Sequence, residues 1–205
     1  MTDRPVLKAA LTGSIAMGKS TVANMLREAG VAVFDADAVV HQLYARNGKA
    51  VEPVGRLFPA VVKDGAIDRV VLSKQVLNDT QAMKKLEAVV HPLVRREQAA
   101  FLDAVKSSDN NIAVFDIPLL FETGRAEEFD AVLVVSAPYE IQRARALARP
   151  GMSEEKFEAI LARQVPDKEK CAAASHVIST DLPIADTQAQ VLAIVSELQS
   201  LAGDL

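Results

Sequence analysis

The sequence predicts an α/β protein built on a doubly wound parallel sheet of about five strands. Its first apolar run, Val6–Thr12, alternates little between apolar and polar residues, which is typical of a strand buried on both faces. Four more short apolar runs follow at Val31–Phe34, Ile112–Phe115, Ala131–Val135 and His176–Ser179. Helical patterns separate these runs, and the alternation predicts parallel strands joined by crossover helices.

The stretch between the second and third predicted strands is longer than a crossover requires. We expect residues 38–111 to form a helical insertion with its own small core, in which Asn47-Gly48 and Asp64-Gly65 form turns. His91-Pro92 is expected to break and restart a helix, because the residue before a proline disfavours the α region. The sheet domain would then comprise residues 1–37, 112–138 and 175–205.

Length and charge narrow the possible functions. The chain has 205 residues, half of them hydrophobic, which is enough for one substantial core with insertions. Its net charge of −4 argues against a nucleic-acid partner, because such proteins neutralise phosphates with a basic face. The single cysteine, Cys171, excludes an intramolecular disulfide and a multi-cysteine zinc site. With no apolar run long enough for a membrane span and no leader pattern, we expect a soluble cytoplasmic protein that is a monomer or a weak homo-oligomer.

The segment directly after the first strand matches a phosphate-binding loop. Residues 13–20 fit the pattern GxxxxGK[ST], and a helix is predicted to follow from Thr21. Glycines let backbone N–H groups approach phosphates, Lys19 reaches the β- and γ-phosphate oxygens, and the Ser20 hydroxyl can bind Mg²⁺. The fold is therefore predicted to be of the P-loop NTPase type. The predicted nucleotide-binding residues are Gly13, Ser14, Ile15, Ala16, Met17, Gly18, Lys19, Ser20 and Thr21.

This loop predicts a nucleoside triphosphate ligand, but ATPases, GTPases, kinases and regulatory switches all share it. The chain lacks the Asn-Lys-x-Asp and Asp-x-x-Gly strings of a GTPase switch, which favours ATP. A mechanical ATPase would carry an Asp-Glu pair after a hydrophobic strand, whereas here Asp116 is followed by Ile117-Pro118. A kinase of small molecules is favoured, and an ATP-binding regulator that transfers no phosphate is the alternative.

Two carboxylates follow the second predicted strand. Because ligands gather at the carboxyl ends of the strands in an open α/β sheet, Asp35 and Asp37 are expected to face the phosphate loop. Either carboxylate could orient an attacking hydroxyl group or accept its proton. Either could instead be the N-cap of the next helix, and a cap requires only one of them. His41 lies one helical turn after Asp37 and on the same helix face.

These carboxylates belong to a larger pattern. Asp35-Ala36-Asp37 and His41 follow the phosphate loop, and Leu86–Val94 contains His91-Pro92. Asp116–Glu122 comes next, and Arg149, a predicted helix over Ser153–Leu161, and Arg163-Gln164 close the series. In this order the four segments resemble the dephospho-CoA kinase family, and the likeness extends over essentially the whole chain.

The resemblance implies a function and roles for individual residues. It implies ATP-dependent phosphorylation of the ribose 3′-hydroxyl of dephospho-CoA, the last step of coenzyme A synthesis, with Mg²⁺. Asp37 would be the general base or hydroxyl anchor, with Asp35 supporting the same loop. The insertion would receive the pantetheine-bearing substrate, with His91 near its entrance. Pro118, Leu119 and Glu122 would lie against the acceptor, and Asp116 would lie near Mg²⁺.

The arginine-rich residues 139–174, which we call the lid segment, resemble the family's lid. Arg145 and Arg149 are four residues apart on one helix face, so both could reach charge that develops on the transferred phosphoryl group. A solvated basic face is the alternative. Pro150-Gly151 places a stiff residue beside a permissive one, as a moving lid requires.

The chain departs from the family's pattern at a few positions. Ala16 stands where most relatives carry glycine, and its methyl group would be costly if this residue needs a positive φ. We expect nucleotide binding to survive this change. Cys171 and Ser175 lie in a segment that is less charged than its counterpart in the family, which puts some contacts to the nucleotide in doubt.

Overall fold

The computed structural model describes residues 5–77, 79–108 and 110–203. Its strands are β1 (Leu7–Thr12), β2 (Ala32–Asp35), β3 (Val62–Lys63), β4 (Ala66–Ile67), β5 (Ile112–Asp116), β6 (Ala131–Ser136) and β7 (His176–Ser179). Its helices are α1 (Lys19–Glu28), α2 (Ala36–Tyr44), α3 (Val51–Leu57), α4 (Arg69–Val76), α5 (Thr80–Lys106), α6 (Tyr139–Leu147), α7 (Glu154–Leu161), α8 (Asp167–Ala172) and α9 (Ile184–Gly203). Among the described residues, no helix combines the length and hydropathy needed to cross a lipid bilayer.

The predicted five-stranded parallel sheet is confirmed. Its strands lie in the order β2-β5-β1-β6-β7, so that β1 is central and pairs in parallel with β5 on one side and β6 on the other. β7 pairs in parallel with β6. β5 and β6 are buried along nearly their whole length, which explains why both read as continuous apolar runs rather than as alternating ones.

Helices cover both faces of the sheet. On one face, side chains of α1 and α9 such as Leu26 and Leu198 pack against Leu133 of β6 in the largest apolar cluster. On the other face, Ala10 and Val132 pack in a smaller cluster with residues of the β5–β6 connection and of α8. Burial of both faces supplies the hydrophobic free energy that stabilises the sheet and fixes the strand ends that carry the site.

The described residues form two compact units. The first contains the residues up to Phe34 and from Ala104 onward, and it includes the sheet and the lid segment. The second runs from Asp35 to Asp103 and overlaps the insertion that was predicted over 38–111. Its role as a substrate-binding domain stays a prediction.

The second unit has its own apolar core, to which α2, α3, α4 and α5 contribute. β3 and β4 form a two-stranded antiparallel hairpin in it. The predicted turn at Asp64-Gly65 connects them, and both residues have a positive φ, 51° and 77°. This backbone is typical of the tight hairpin turns that Asp-Gly favours. The hairpin itself was not predicted, because each strand has only two residues.

The helix break predicted at His91-Pro92 is wrong. α5 runs without interruption through Pro92. A proline inside a helix removes one hydrogen bond and crowds the carbonyl group four residues earlier, at a cost of about 3 kcal/mol. The helix continues because its apolar face lies in the core of the second unit, where Leu86 and Val90 precede the proline and Leu93 follows it. Tertiary packing here outweighs the local preference.

Gly48 offers a test of the packing in the second unit. A Cβ atom at this position would lie 2.2 Å from the carbonyl oxygen of Leu43 and 2.6 Å from that of Gln42. Because these neighbours are backbone atoms, Gly48→Ala is expected to lower the free energy of unfolding by about 2 kcal/mol or more, as measured by urea denaturation. Gly203→Ala is the control, since its added Cβ meets no atom within 4 Å. Equal stability of the two variants would contradict the close approach at Gly48.

Candidate functional site

The loop between β1 and α1 has the backbone of a phosphate cradle. Gly18 has a φ of 94° and is the N-cap of α1, so the helix begins directly at Lys19. A Cβ atom on Gly13 would lie only 2.7 Å from the carbonyl oxygen of Val135, so the loop can pack this closely against β6 only with glycine there. The loop therefore presents backbone N–H groups and a helix N-terminus to a common space, an arrangement that favours anions.

Ala16 lies in the left-handed region of backbone space, with a φ of 62°. This conformation is costly for alanine and nearly free for glycine. From the sequence, the Ala16 methyl group is expected to be costly if this residue needs a positive φ, and the residue has one. The methyl group does not project into solvent, because Ala16 is buried in a small apolar cluster with Ala146 of α6 and Phe157 of α7.

A cavity of about 670 Å³ opens in front of this loop, within the first unit. All nine residues predicted to bind the nucleotide line it, together with Pro118, Leu119, Arg145 and Arg149 from later parts of the sequence. The cavity is also lined by five residues that the sequence did not single out as contacts: Ile160, Gln164, Thr180, Ile184 and Thr187.

Lys19 and Asp116 form an ion pair at the edge of this cavity. Lys19 is the first residue of α1 and Asp116 is the last residue of β5, and the Lys19 Nζ donates to Asp116 Oδ1. Asp116 is 7% exposed. The pairing places the carboxylate beside the one lysine of the phosphate loop. The position near Mg²⁺ that the resemblance implies for Asp116 stays a prediction.

The residues present fit a magnesium ion that is shared with phosphates. Mg²⁺ prefers oxygen ligands and is usually held by one or two carboxylates together with phosphate oxygens and water. The exposed Ser20 supplies a hydroxyl group and Asp116 a carboxylate. The described residues include no cluster of three or more His, Cys, Asp or Glu side chains that could hold a metal by themselves. A magnesium ion at this site would therefore depend on the nucleotide for further ligands.

The two lid arginines differ in their contacts. Arg145 donates from Nη1 to Thr180 Oγ1 at 2.9 Å and from Nη2 to the Thr180 carbonyl oxygen at 2.6 Å. Thr180 Oγ1 in turn donates to the carbonyl oxygen of Met17 in the phosphate loop, at 2.7 Å. Arg149 is exposed at the cavity, and its side chain forms no hydrogen bond or ion pair with the described residues. Arg145 is therefore fixed to the loop, whereas Arg149 is available to an anion.

Glu122 lies outside the lining of the cavity and makes internal contacts. Its Oε1 lies 2.8 Å from Nζ of Lys170, which is completely buried, and accepts a hydrogen bond from the backbone N–H of Val165 at 2.9 Å. Burial would raise the pKa of Glu122, but the bonds from Lys170 and Val165 outweigh it and hold this pKa below its ordinary value. The substrate contact predicted for Glu122 stays a prediction, and its observed contacts fix the connection after β5.

The three remaining predicted residues lie in the second unit. Asp35 is the N-cap of α2, since its Oδ1 accepts the N–H of Ala38 at 2.9 Å. Asp37 is in the first turn of α2 and is exposed, and its carboxylate forms no bond with the described residues. His91 is exposed on α5. The structure thus assigns the cap to Asp35 and leaves the Asp37 carboxylate available to a substrate.

Cys171 and Ser175 do not line the cavity. Cys171 is half-buried on α8, and burial raises the pKa of its thiol, which disfavours the reactive thiolate. Ser175 accepts the N–H of Val132 at 2.9 Å and so supports the start of β6. Their departures from the family's pattern therefore leave the lining of the cavity unchanged.

Comparisons with known proteins show which proteins this chain resembles. A family model described as dephospho-CoA kinase matches residues 7–186. A dephospho-CoA kinase of Mesorhizobium japonicum is 52% identical over 193 residues, which cover 94% of this chain and 97% of that protein. A solved structure from Thermus thermophilus has a TM-score of 0.78 at 35% identity, covering 95% of this chain and 98% of the other. The structure of a dephospho-CoA kinase from Campylobacter jejuni has a TM-score of 0.66 at 25% identity, covering 93% and 96%.

The pair of Glu122 and Lys170 predicts a pH-dependent contribution to stability. Because the pKa of Glu122 is lowered in the folded state, its contribution is present above the ordinary value of 4.5 and is lost as the pH falls through the folded pKa. Glu122→Gln leaves a buried lysine unpaired and is expected to lower the free energy of unfolding by about 3 kcal/mol at pH 7. In urea titrations from pH 7 to pH 3, this difference from the unsubstituted chain should narrow on the acid side.

Glu128→Gln is the matched control for this prediction. Glu128 also pairs with a cation, Arg125, and the pKa of Glu128 is also lowered, but the two side chains are 53% and 40% exposed. Its loss should change the free energy of unfolding by no more than about 1 kcal/mol. If both variants unfold alike, the buried pair does not stabilise the connection after β5.

Proposed function

The chain belongs to the dephospho-CoA kinase family, and we propose that it transfers the γ-phosphoryl group of ATP to the ribose 3′-hydroxyl of dephospho-CoA, giving coenzyme A and ADP. The observation that carries this proposal is the cavity in front of the phosphate loop, lined by all nine predicted nucleotide-binding residues and by two arginines. We infer the acceptor from the family, whose members are described as dephospho-CoA kinases, because the cavity by itself accounts only for the nucleotide.

The charges around the cavity support ATP as the donor. The N-terminus of α1, Lys19 and Arg149 all direct positive charge or potential to one space, and a triphosphate is the ligand that such a space favours. In phosphoryl transfer the protein acts mainly by positioning the reactants and by stabilising charge on the transferred group. Lys19 would contact the β- and γ-phosphates, and Arg149 would contact the charge that develops on the γ-phosphoryl group.

Mg²⁺ is proposed as the metal of the reaction. Its ligands from this chain would be the hydroxyl of Ser20 and the carboxylate of Asp116. The ion would neutralise part of the charge on the β- and γ-phosphates when bound. The ion pair with Lys19 holds the Asp116 carboxylate beside the phosphate loop.

The acceptor hydroxyl is proposed to be oriented or deprotonated by Asp37. Support comes from the contacts of the two carboxylates: Asp35 accepts a backbone N–H as a helix cap, whereas Asp37 is exposed and unpaired among the described residues. We propose that the second unit receives the rest of dephospho-CoA, with His91 near the entrance. Pro118 and Leu119 would form the wall of the cavity next to the acceptor.

A cytoplasmic location and a monomeric or weakly associated state are part of this proposal. A single cysteine suits a reducing compartment. Two alternative functions remain. A P-loop kinase of another small molecule would require a different acceptor, and an ATP-binding regulator would require none.

An ADP-release assay with Mg-ATP separates these functions. The assay compares dephospho-CoA, a panel of nucleosides and no acceptor. We expect turnover only with dephospho-CoA, and coenzyme A as the product by mass spectrometry. ADP release with another acceptor would overturn the substrate but keep the nucleotide site. ATP binding without ADP release under any condition would favour the regulator.

Replacement of Asp37 tests its role in the transfer. Asp37→Asn keeps the shape of the side chain and removes the charge, so kcat with dephospho-CoA is expected to fall by about 10²-fold or more, with the Kd for ATP unchanged. Glu52→Gln is the control, because Glu52 is also an exposed carboxylate in the first turn of a helix of the second unit. Near-normal turnover of Asp37→Asn would exclude Asp37 as the base or anchor.

A further inference from the structure

Two glutamine side chains hold the backbone of Ile15, the third residue of the phosphate loop. The N–H of Ile15 donates to Oε1 of Gln164 at 3.0 Å. The Nε2 of Gln142 donates to the carbonyl oxygen of Ile15 at 2.8 Å. Both polar groups of this residue are therefore satisfied by side chains more than a hundred residues away in the sequence, and both of those side chains come from the lid segment.

The glutamines are themselves held in place. Gln142 lies on α6 and is only 2% exposed, so its side chain has little freedom to adopt other rotamers. Gln164 follows α7, and its neighbour Val165 donates its N–H to Glu122, whose carboxylate is paired with the buried Lys170. The Gln142 amide therefore reaches Ile15 from a buried side chain, and the Gln164 amide reaches it from a residue whose neighbour is hydrogen-bonded to Glu122.

The residue after Ile15 shows why such support matters. Ala16 has a φ of 62°, a conformation that alanine disfavours, so local backbone preference does not stabilise this part of the loop. Contacts from outside the loop must hold it, and the structure provides the two amide groups at Ile15 and the packing of the Ala16 methyl group against Ala146 and Phe157. All of these contacts come from the lid segment.

We propose that Gln142 and Gln164 are positioning residues for nucleotide binding, which hold the Ile15 peptide groups so that the following loop keeps the conformation a triphosphate requires. The lid segment then sets the shape of the phosphate loop as well as supplying Arg149. This proposal rests on the proposed function only in taking ATP as the ligand, and it does not depend on the acceptor.

Gln142 separates this proposal from direct contact with the ligand. Gln164 lines the cavity and could touch a nucleotide, but Gln142 does not line it and is buried. Gln142 lines a separate cavity together with Met17 and Gln164, and its amide donates to the Ile15 carbonyl oxygen, so we expect its effect on nucleotide affinity to pass through Ile15. Since both side chains act on the same residue, the effects of removing them should not add.

The experiment measures the Kd for ATP by calorimetry without acceptor, alongside Tm, for Gln142→Met, Gln164→Met and the double variant. Methionine keeps the approximate size of the side chain and removes the amide. Asn110→Leu is the matched control, because the amide of Asn110 also bonds two backbone groups: it accepts the N–H of Ile112 at 3.1 Å and donates to the carbonyl oxygen of Gly30 at 2.7 Å. These contacts lie before β5, at the opposite end of that strand from Asp116.

We expect all three single variants to lower Tm, but only the two glutamine variants to raise the Kd for ATP, by about three- to tenfold each. The Kd of the double variant for ATP should be only slightly higher than that of whichever single glutamine variant has the higher Kd. The KM for dephospho-CoA should stay within about twofold of the unsubstituted value, as expected for an effect confined to the nucleotide loop. If Gln142→Met does not fold, Gln142→Asn withdraws the donor group while keeping an amide.

Two results would overturn the proposal. One is an unchanged Kd for ATP in the glutamine variants with a lower Tm, which would make the two amides purely structural. The other is an equal rise in Kd for Asn110→Leu, which would indicate general loosening of the first unit. Because ATP binding is measured without acceptor, a failure of dephospho-CoA as substrate would leave this test intact.

Discussion

A triphosphate can be held by backbone N–H groups only where a chain turns sharply and leaves those groups unpaired, and this requirement governs the first unit. The central strand β1 ends at Thr12 in the middle of the sheet, with β5 and β6 on either side. A Cβ atom on the next residue, Gly13, would lie only 2.7 Å from the carbonyl oxygen of Val135. Gly18 leads into α1 with a positive φ. A side chain at Gly13 would push the loop away from β6 and out of register with the helix N-terminus.

Two ion pairs fix the connection after β5. This connection begins at Asp116, which pairs with Lys19, and continues to Glu122, which pairs with the buried Lys170. Pro118 and Leu119, which form part of the cavity wall, lie between these two anchors. One anchor belongs to the nucleotide site and the other to the interior, so the wall is fixed at both ends although it has no regular secondary structure.

The parts of this architecture that depend on local sequence could be predicted, and those that depend on distant contacts could not. The strands of the five-stranded sheet, the phosphate loop and the turn at Asp64-Gly65 follow from short patterns of burial and backbone preference. Pro92 was misjudged because the local cost of a helical proline is visible in the sequence, whereas the packing that offsets it is not. Thr180 and Gln142 were missed for a similar reason, since a threonine after a strand and a glutamine on a helix carry no pattern of their own.

A short sequence can also leave two residues equivalent that the structure separates. By position alone, Asp35 and Asp37 were equivalent candidates to cap α2 or to meet a substrate, whereas in the structure Asp35 accepts the N–H of Ala38 and Asp37 is exposed. Arg145 and Arg149 lie one helical turn apart and also had equal claims. The Arg145 side chain donates to Thr180, whose hydroxyl donates to the Met17 carbonyl oxygen of the phosphate loop. The Arg149 side chain remains available to an anion.

The contacts of Arg145 change how the lid segment is understood. A lid that only closes over a ligand would need few permanent contacts with the phosphate loop. Here the segment reaches the loop through Gln142 and Gln164 at Ile15, and Arg145 reaches Met17 through Thr180. Motion of the segment therefore cannot be independent of the loop's conformation at these residues. Any movement that brings Arg149 to a phosphate must either preserve these bonds, and so be confined to the residues between Arg145 and Gln164, or change the shape of the nucleotide site itself.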